Sequence, residues 1–330
     1  MSSSVAFLWQ GISIHWAGIF AALGALSACL GVISLTLFKD RSLKTLPLFF
    51  PAAILFSLIF GRIFHWYSFP LQYGSFVSAV TDYSAGGFAL AGVFPGTLLA
   101  AALVRLGRLT DDLPGFLDIL APAGALGIAV GRLGSFFDAS CRGSFLPPQP
   151  WLQQNPFSAA IVNADGTVSR RFATFFWQAA VAAALFILCL VLLWAIRRPR
   201  GGHVFLLFVN FYAAAEIVLD STRYDAHFLR SNGFIHVPQL LCLGALIAVC
   251  AVYSGALLRQ NGFRKRLLWP WGLFLALGGG GGYMEYFVQR HGDRFVLAYS
   301  VMAACFLLMA VINTGLFSAS KANEKTALPE

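Results

Sequence analysis

The chain has 330 residues, 58% of them hydrophobic and 11% charged, with a mean hydropathy of +0.73 and a formal net charge of +9. Soluble domains carry about 25% charged residues, so this composition excludes a globular soluble enzyme and points to an integral membrane protein. The positive balance does not call for nucleic acid, because the basic residues lie mostly in short loops between apolar runs, where they report topology.

A spanning helix needs about 20 apolar residues. In chain order, apolar runs predict spans over 12–37, 46–68, 85–106, 115–138, 173–196, 203–220, 236–258, 268–289 and 294–317. The expected fold is an all-α, polytopic transmembrane helix bundle. The first run lacks a basic leader and an obvious cleavage site, so it reads as a retained span. The sixth is short. The eighth contains Gly278 to Gly282, which permits close helix approach or a break. Trp66, Tyr67, Trp151, Trp177, Trp269 and Trp271 near span ends fit interfacial anchoring.

Six cysteines occur: Cys29, Cys141, Cys189, Cys242, Cys250 and Cys305. Only Cys141 lies at a span end, and there is no CxxC or metal spacing, so buried structural thiols are expected. Loops 38–45, 105–112, 197–203 and 259–266, with the C-terminal tail, hold most of the 23 lysines and arginines. The positive-inside rule then places the N-terminus outside and the C-terminus in the cytoplasm. The long loop 139–172 and loop 221–235 fall outside.

Three charged residues interrupt apolar spans: Arg62, Arg132 and Glu216. A charge in hydrocarbon costs a few kcal/mol on insertion scales, so it usually faces a bundle interior and marks function or a buried pair. Counted from the cytoplasmic side, all three lie at roughly 20–24 Å of a hydrocarbon core about 30 Å thick. Two positive charges and one negative suit an anionic group such as a phospholipid phosphate at the outer headgroup level.

The segment Gly131 to Gly143 is the densest feature. Its glycines can let a helix end unwind and turn backbone N–H groups towards an anion, and Arg132 offers a bidentate fork for phosphate oxygens. A structural helix end with Arg132 paired to Glu216 explains the same residues, and the two readings are compatible. Ser84 to Gly92 opens the third span, either as a backbone nest or as a tight packing surface. Asp220, Arg223, Asp225 and Arg230 follow the sixth span; they make either a solvated loop or, through Arg223, a headgroup contact. His65 lies three residues after Arg62 on the same helix face. It is the histidine best placed to act as a base, unless it is simply a polar interfacial residue. His15, His227 and His236 lie on the same side of the membrane. Glu285 is a further intramembrane carboxylate without an assigned partner. No P-loop, HExxH, GxSxG or zinc spacing is present.

Together these segments resemble the bacterial prolipoprotein diacylglyceryl transferase family over residues 1–258. Ile12 to Gly18 is similar to the family's "I-x-W-Y-G" opening, and Gly61-Arg62 to its "G-A-R" helix end. Gly86-Gly87 through Gly92 resembles "G-G-x-x-x-H-G-G", and Phe116 to Pro122 is close to "F-L-D-L-L-A-P". Gly131 to Gly143 resembles the signature "G-R-x-G-N-F-x-N-G-E-x-x-G". Glu216 matches the glutamate of "F-R-F-x-x-E", and Gln239 the glutamine that opens the last family span.

The resemblance implies seven family-like spans plus two extra C-terminal ones. The corresponding division is a seven-helix membrane domain over 1–258, two additional helices over 259–318 and a cytoplasmic tail over 319–330. It implies a bacterial inner-membrane enzyme of lipoprotein biosynthesis, with no cofactor or metal. That enzyme transfers diacylglyceryl from phosphatidylglycerol to a cysteine thiol of a lipoprotein precursor. Carried over by residue, Arg132 and Glu216 are expected catalytic groups; His65, read from its place beside Arg62 and not from the family pattern, is the third, as the base. Arg62, Gly131, Gly134, Ser135, Gly143, Arg223 and Gln239 are expected to bind substrate. The chain departs from the family pattern at several positions. The family histidine falls on Ala91, its "W-Y-G" tyrosine on Ala17, its signature asparagine on Ser135 and its signature glutamate on Ser140. The arginine of "F-R-F-x-x-E" falls on Tyr212, and "H-P-x-Q-x-Y-E" is reduced to Phe172 to Gln178. The expectations are therefore an active transferase, a non-catalytic relative that binds anionic phospholipid or lipoprotein segments, or a transporter or assembly factor on the same scaffold.

Overall fold

The computed structural model describes residues 5–73, 75–81, 87–137, 142–146, 149–154, 156–162, 167–195, 201–225, 227–229, 233–263, 265–291 and 294–327. The helices, in order, are α1 (Trp16–Phe38), α2 (Leu46–Ser68), α3 (Phe76–Thr81), α4 (Val93–Leu106), α5 (Leu113–Leu133), α6 (Thr174–Ala195), α7 (His203–Ser221), α8 (Val237–Asn261), α9 (Leu268–Arg290) and α10 (Phe295–Ala327). Two antiparallel hairpins complete the described elements, β1 (Val5–Trp9) with β2 (Ile12–His15) and β3 (Ser158–Val162) with β4 (Val168–Phe172). The polytopic all-α bundle expected from the apolar runs is what the chain forms.

Among the described residues, seven helices are long and apolar enough to cross a membrane: α1, α2, α5, α6, α7, α8 and α10. Nine were expected, and the two differences have local causes. The third run enters as an extended segment, with Gly87 at φ +82° and a 3-10 turn at Leu90–Gly92, so α4 keeps only 14 residues. In α9 the run Gly278 to Gly282 stays helical, and its glycines dilute the hydropathy of a helix 23 residues long. The first span also starts later than its apolar run. Residues 12–15 pair with β1 across a turn at Gln10 and Gly11, both at positive φ.

Small residues set the helix crossings, as is common where lipid gives no hydrophobic drive between helices. On α1, a Cβ at Gly24 would lie 2.6 Å from the Gly127 carbonyl oxygen of α5. Just before α4, a Cβ at Gly92 would overlap the Phe60–Gly61 backbone of α2, and on α4 Gly96 abuts Ser57 in the same way. One core, including Val32, Phe49, Ala100 and Ile119, joins α1, α2, α4 and α5. A second, including Leu185, Val209, Leu246 and Met302, joins α6, α7, α8 and α10, with α9 supplying Phe274. Helix α5 contributes to both, through Ile119 and Ala123 on one side and Ala121 and Ala125 on the other.

Polar contacts fix α7 in place. Asp118 of α5, fully buried, accepts a hydrogen bond from the Phe205 backbone N–H at 2.9 Å, satisfying a donor that the first helical turn leaves open. Asn313 of α10 donates to Asn210 Oδ1 (2.8 Å) and to the Leu246 carbonyl (3.1 Å), while Asn210 donates to the Ala310 carbonyl (2.9 Å). Asp118→Ala is expected to cost about 1–3 kcal/mol, because a buried N–H loses its acceptor. Thermal unfolding of the purified protein in detergent would read this as a lower midpoint with helical content retained.

Alternate helix ends gather on two faces. One face holds the α1–α2 and α4–α5 connections, joined by the Arg41–Asp112 ion pair at 2.7 Å, with Lys39 on the Leu193 carbonyl near the end of α6 and Gly202, before α7, against Pro114. The opposite, hairpin face holds both β-hairpins and the α7–α8 connection.

Candidate functional site

Three of the long helices bring polar groups together near the hairpin face. Arg132 sits in the last turn of α5, Gln178 in the second turn of α6 and Glu216 in α7. Arg132 Nη2 donates to Glu216 Oε1 at 3.0 Å, and Gln178 Nε2 donates to the same oxygen at 2.8 Å. All three are buried. Tyr212, one turn before Glu216, places its hydroxyl against both Arg132 and Glu216. The result is a buried ion pair whose carboxylate accepts from Arg132, Gln178 and Tyr212. Glu216 fixes one edge of the Arg132 fork, which orients the remaining N–H donors.

Arg62 belongs to a different set. Its Nε donates to the Ala79 carbonyl (2.7 Å), and its Nη1 to the Gly87 carbonyl (2.8 Å) and the Tyr73 hydroxyl (2.9 Å). The rings of Tyr73 and Phe88 lie 4.9 and 5.2 Å from its Cζ. With 1% exposure, Arg62 is a clamp that ties the segment between α2 and α4 to α2. The Tyr73 hydroxyl also meets His65 Nδ1 at 2.8 Å. In the tautomer where Nδ1–H donates to Tyr73, His65 Nε2 carries the lone pair a base needs. The His65 ring meets His227 edge-on, at 5.6 Å between centroids. Arg62 and His65 thus come together through Tyr73, as Arg132 and Glu216 do directly.

The end of α7 and the connection to α8 link the two sets, with His227 against His65 and Asp220 one turn beyond Glu216. Asp220, fully buried, accepts from His236 Nδ1 at 2.9 Å and from Arg223 Nη1 at 3.3 Å. Arg223 also pairs with Asp225 at 3.1 Å. Gln239 caps α8: its Oε1 accepts the His236 N–H (3.0 Å), and its Nε2 donates to the Ile217 carbonyl (3.3 Å). Arg223 and Gln239 therefore hold this connection together.

The glycines of the signature segment serve packing. Helix α5 runs through Gly131 and closes in a 3-10 turn at Gly134–Phe136, where the Phe137 N–H donates to the Gly134 carbonyl at 3.1 Å. No unwound backbone nest forms among these described residues. Gly134 lies against Phe20 and Ala17 of α1, and Gly143 against Phe172 and Thr174. Ser135 is buried beside Gly134. Gly87 leaves the space that the His65 ring occupies. Ser84, Ala85, Gly86, Asp138, Ala139, Ser140, Cys141 and Arg230 lie outside the described residues. The other five cysteines are free thiols within helices.

Sequence reading missed Tyr73, Gln178, His227 and the Asp220–His236 pair. Gln178 had one signal, its place at the glutamate of the family's "H-P-x-Q-x-Y-E". Burial first, then the nearby Arg223 and His65, hold the His227 pKa down to about 4. An unfolded histidine titrates near 6.5, so between about pH 6.5 and 4 the unfolded chain binds more protons. Stability from this group is complete above about pH 6.5 and falls as the pH drops towards 4. Melting curves across that window should slope less in His227→Gln than in wild type.

A family model for prolipoprotein diacylglyceryl transferase matches residues 4–254. A phosphatidylglycerol–prolipoprotein diacylglyceryl transferase of Clostridium botulinum (strain Hall) is 24% identical over 262 residues, covering 76% of this chain and 96% of the relative. Proteins of the same name from Lactococcus lactis subsp. cremoris and subsp. lactis are 28% identical over 249 and 258 residues. Those two alignments cover 72% and 76% of this chain and 90% and 93% of the relatives. The family match ends within α8, so α9 and α10 lie beyond it.

Proposed function

Because this chain belongs to the prolipoprotein diacylglyceryl transferase family, we propose that it moves a diacylglyceryl group from phosphatidylglycerol to the cysteine thiol of a lipoprotein precursor. The protein sits in the bacterial inner membrane with its N-terminus and hairpin face outside and its C-terminus in the cytoplasm. The observation that carries this reading is the buried Arg132–Glu216–Gln178 cluster, with Tyr212 against it, one to two turns below the hairpin face.

In the reaction, the thiol sulfur bonds to the glycerol carbon that carries the phosphate ester. The carbon–oxygen bond breaks, and glycerol phosphate leaves with the electron pair. The phosphate gains negative charge as it departs, so a fixed cation lowers the barrier. Arg132 is that cation, oriented by Glu216 and Gln178. The thiol proton goes to His65 Nε2, with Tyr73 holding the ring through Nδ1. Arg223 and Ser135 shape the donor site from the hairpin side, and the signature glycines serve it only by letting the neighbouring elements pack closely. Tyr212 stands where the family pattern has an arginine and contributes a neutral hydroxyl.

A second reading has its own observation. Ala91, Tyr212 and Ser135 replace a family histidine, arginine and asparagine, which suits a relative that binds anionic phospholipid without turning it over. The deciding experiment incubates the purified protein with labelled phosphatidylglycerol and a peptide containing the acceptor cysteine, with Arg132→Ala in parallel. Label on the peptide, lost in the variant, supports the transferase. Phospholipid that co-purifies in an Arg132-dependent way, with no transfer by wild type, supports the binding protein.

A further inference from the structure

The described residues contain three buried arginines: Arg62, Arg132 and Arg171. The first donates to two carbonyls and a hydroxyl, and the second to a carboxylate. Arg171, in β4, is different. It is 9% exposed, and its Nε and Nη1 are buried with no hydrogen-bond acceptor among the described residues. Its Cζ lies 4.2 Å from the Phe145 ring centroid and 3.9 Å from that of Tyr224.

The backbone preorganises this arrangement. The segment Arg142–Leu146 runs between β4 and the residues that follow α7. On one side Phe145 bridges Arg171, and the Phe172 N–H donates to the Ser144 carbonyl (3.1 Å). On the other, Gly143 bridges Arg223, the Ser144 N–H donates to the Thr222 carbonyl (2.8 Å), and the Tyr224 N–H donates to the Arg142 carbonyl (2.9 Å). Both rings are therefore carried on hydrogen-bonded backbone, although Phe145 is 57% and Tyr224 67% exposed. Large aromatic rings left this exposed at a headgroup surface, around a cation without an acceptor, form an open clamp.

A guanidinium packed against two rings at these distances engages them through its π face and leaves its edge, in plane, for a hydrogen-bond partner. That geometry selects an anion with paired oxygens, and a phosphate or carboxylate fits. Depth selects between them. Arg171 lies three residues before α6 begins, within roughly 10 Å of the hydrocarbon edge at strand or turn rise. Lipid phosphates occupy this headgroup zone. Arg142 and Arg170 stand on the same patch of backbone and add positive potential, each donating to a neutral backbone carbonyl, whereas Arg223 is offset by Asp220 and Asp225.

We propose that the Phe145–Arg171–Tyr224 clamp binds a phosphate ester at the hairpin face, at a site separate from the Arg132–Glu216 cluster. The site does not depend on whether the protein catalyses transfer. Its occupant is either a phospholipid headgroup entering from the bilayer or a free phosphate ester from solution, and the chemistry of recognition is shared.

The test uses the full chain in phosphatidylcholine nanodiscs. One arm adds phosphatidylglycerol to the bilayer and counts retained lipid by native mass spectrometry. The other adds glycerol phosphate to the solution and follows binding by calorimetry. Wild type is compared with Arg171→Gln, with Tyr224→Leu, which keeps the cation and removes one ring, and with Arg132→Met/Glu216→Leu. The clamp predicts binding at least about tenfold weaker in Arg171→Gln, an intermediate loss in Tyr224→Leu, and no change at this site in the double variant. An effect in the bilayer arm alone identifies a lipid headgroup, and one in the solution arm identifies a free phosphate ester. Equal binding by wild type, Arg171→Gln and Tyr224→Leu in both arms would overturn the proposal and leave Arg171 as a stacked structural cation. If Arg171→Gln does not fold, Tyr224→Leu alone decides between these outcomes.

Discussion

Arg132→Ala is expected to slow transfer of the diacylglyceryl label by roughly 10²–10³-fold, the cost of removing one fixed donor to a developing oxyanion. The same change leaves Glu216 buried without its cation, which costs about 3–5 kcal/mol of stability when such a pair is broken. A loss of activity in the single variant would therefore be ambiguous between chemistry and unfolding. The double variant Arg132→Met/Glu216→Leu separates them. Replacing both charges with apolar groups of similar size is often neutral or stabilising by about 1–4 kcal/mol. The expected result is a well-folded protein with no transfer. A stable double variant that retained transfer would remove Arg132 from the chemistry. A double variant no more stable than Arg132→Ala would show that the pair is not coupled as a buried ion pair should be.

Gly92→Val should be the most damaging packing change in the bundle. A Cβ at Gly92 would overlap the backbone at Phe60 and Gly61, and backbone cannot rotate away as a side chain can. Helix α4 would have to move off α2, and the cost is expected to be about 3 kcal/mol or more, at the upper end of overpacking penalties. The movement would also disturb the Gly61 carbonyl, which accepts the Ala89 N–H at 3.1 Å, and so the segment that supplies the Gly87 carbonyl to Arg62. Thermal melts and limited proteolysis of the α2–α4 connection would register this. Gly18→Ala is a matched control, because a Cβ there meets no atom within 4 Å. Equal stability of Gly92→Val and Gly18→Ala would refute the close α2–α4 contact.

Arg132 and Glu216 were legible in the sequence because a charge inside an apolar run is conspicuous and must find a partner. Arg62 was conspicuous for the same reason, but its partners were not. They are the carbonyls of Ala79 and Gly87, and any residue type presents a carbonyl. Gln178 and Tyr73 are uncharged, so nothing in their own segments marks them, although each completes a cluster. His227 was one histidine among several on that face. Its burial against His65 and Phe69 arises only when the α7–α8 connection folds back over α2. The β-hairpins escaped because they are short, and the second strand of one lies inside an apolar run that reads equally well as helix.

By itself the sequence determined that this is a membrane-embedded helical bundle, where most of its helices begin and end, and that Arg62, Arg132 and Glu216 must be buried. Those properties follow from local composition: about 20 apolar residues suffice to span a bilayer, and an ionised group there is costly wherever the rest of the chain goes. Only the tertiary structure decided that Arg132 joins Glu216 and Gln178 while Arg62 becomes a clamp, that Gly134 packs on α1 and Gly143 on β4, and that Arg171 lies against two rings without an acceptor among the described residues. Each of these depends on distances between residues far apart in the chain, and those distances are set by how closely glycine and alanine let the helices approach.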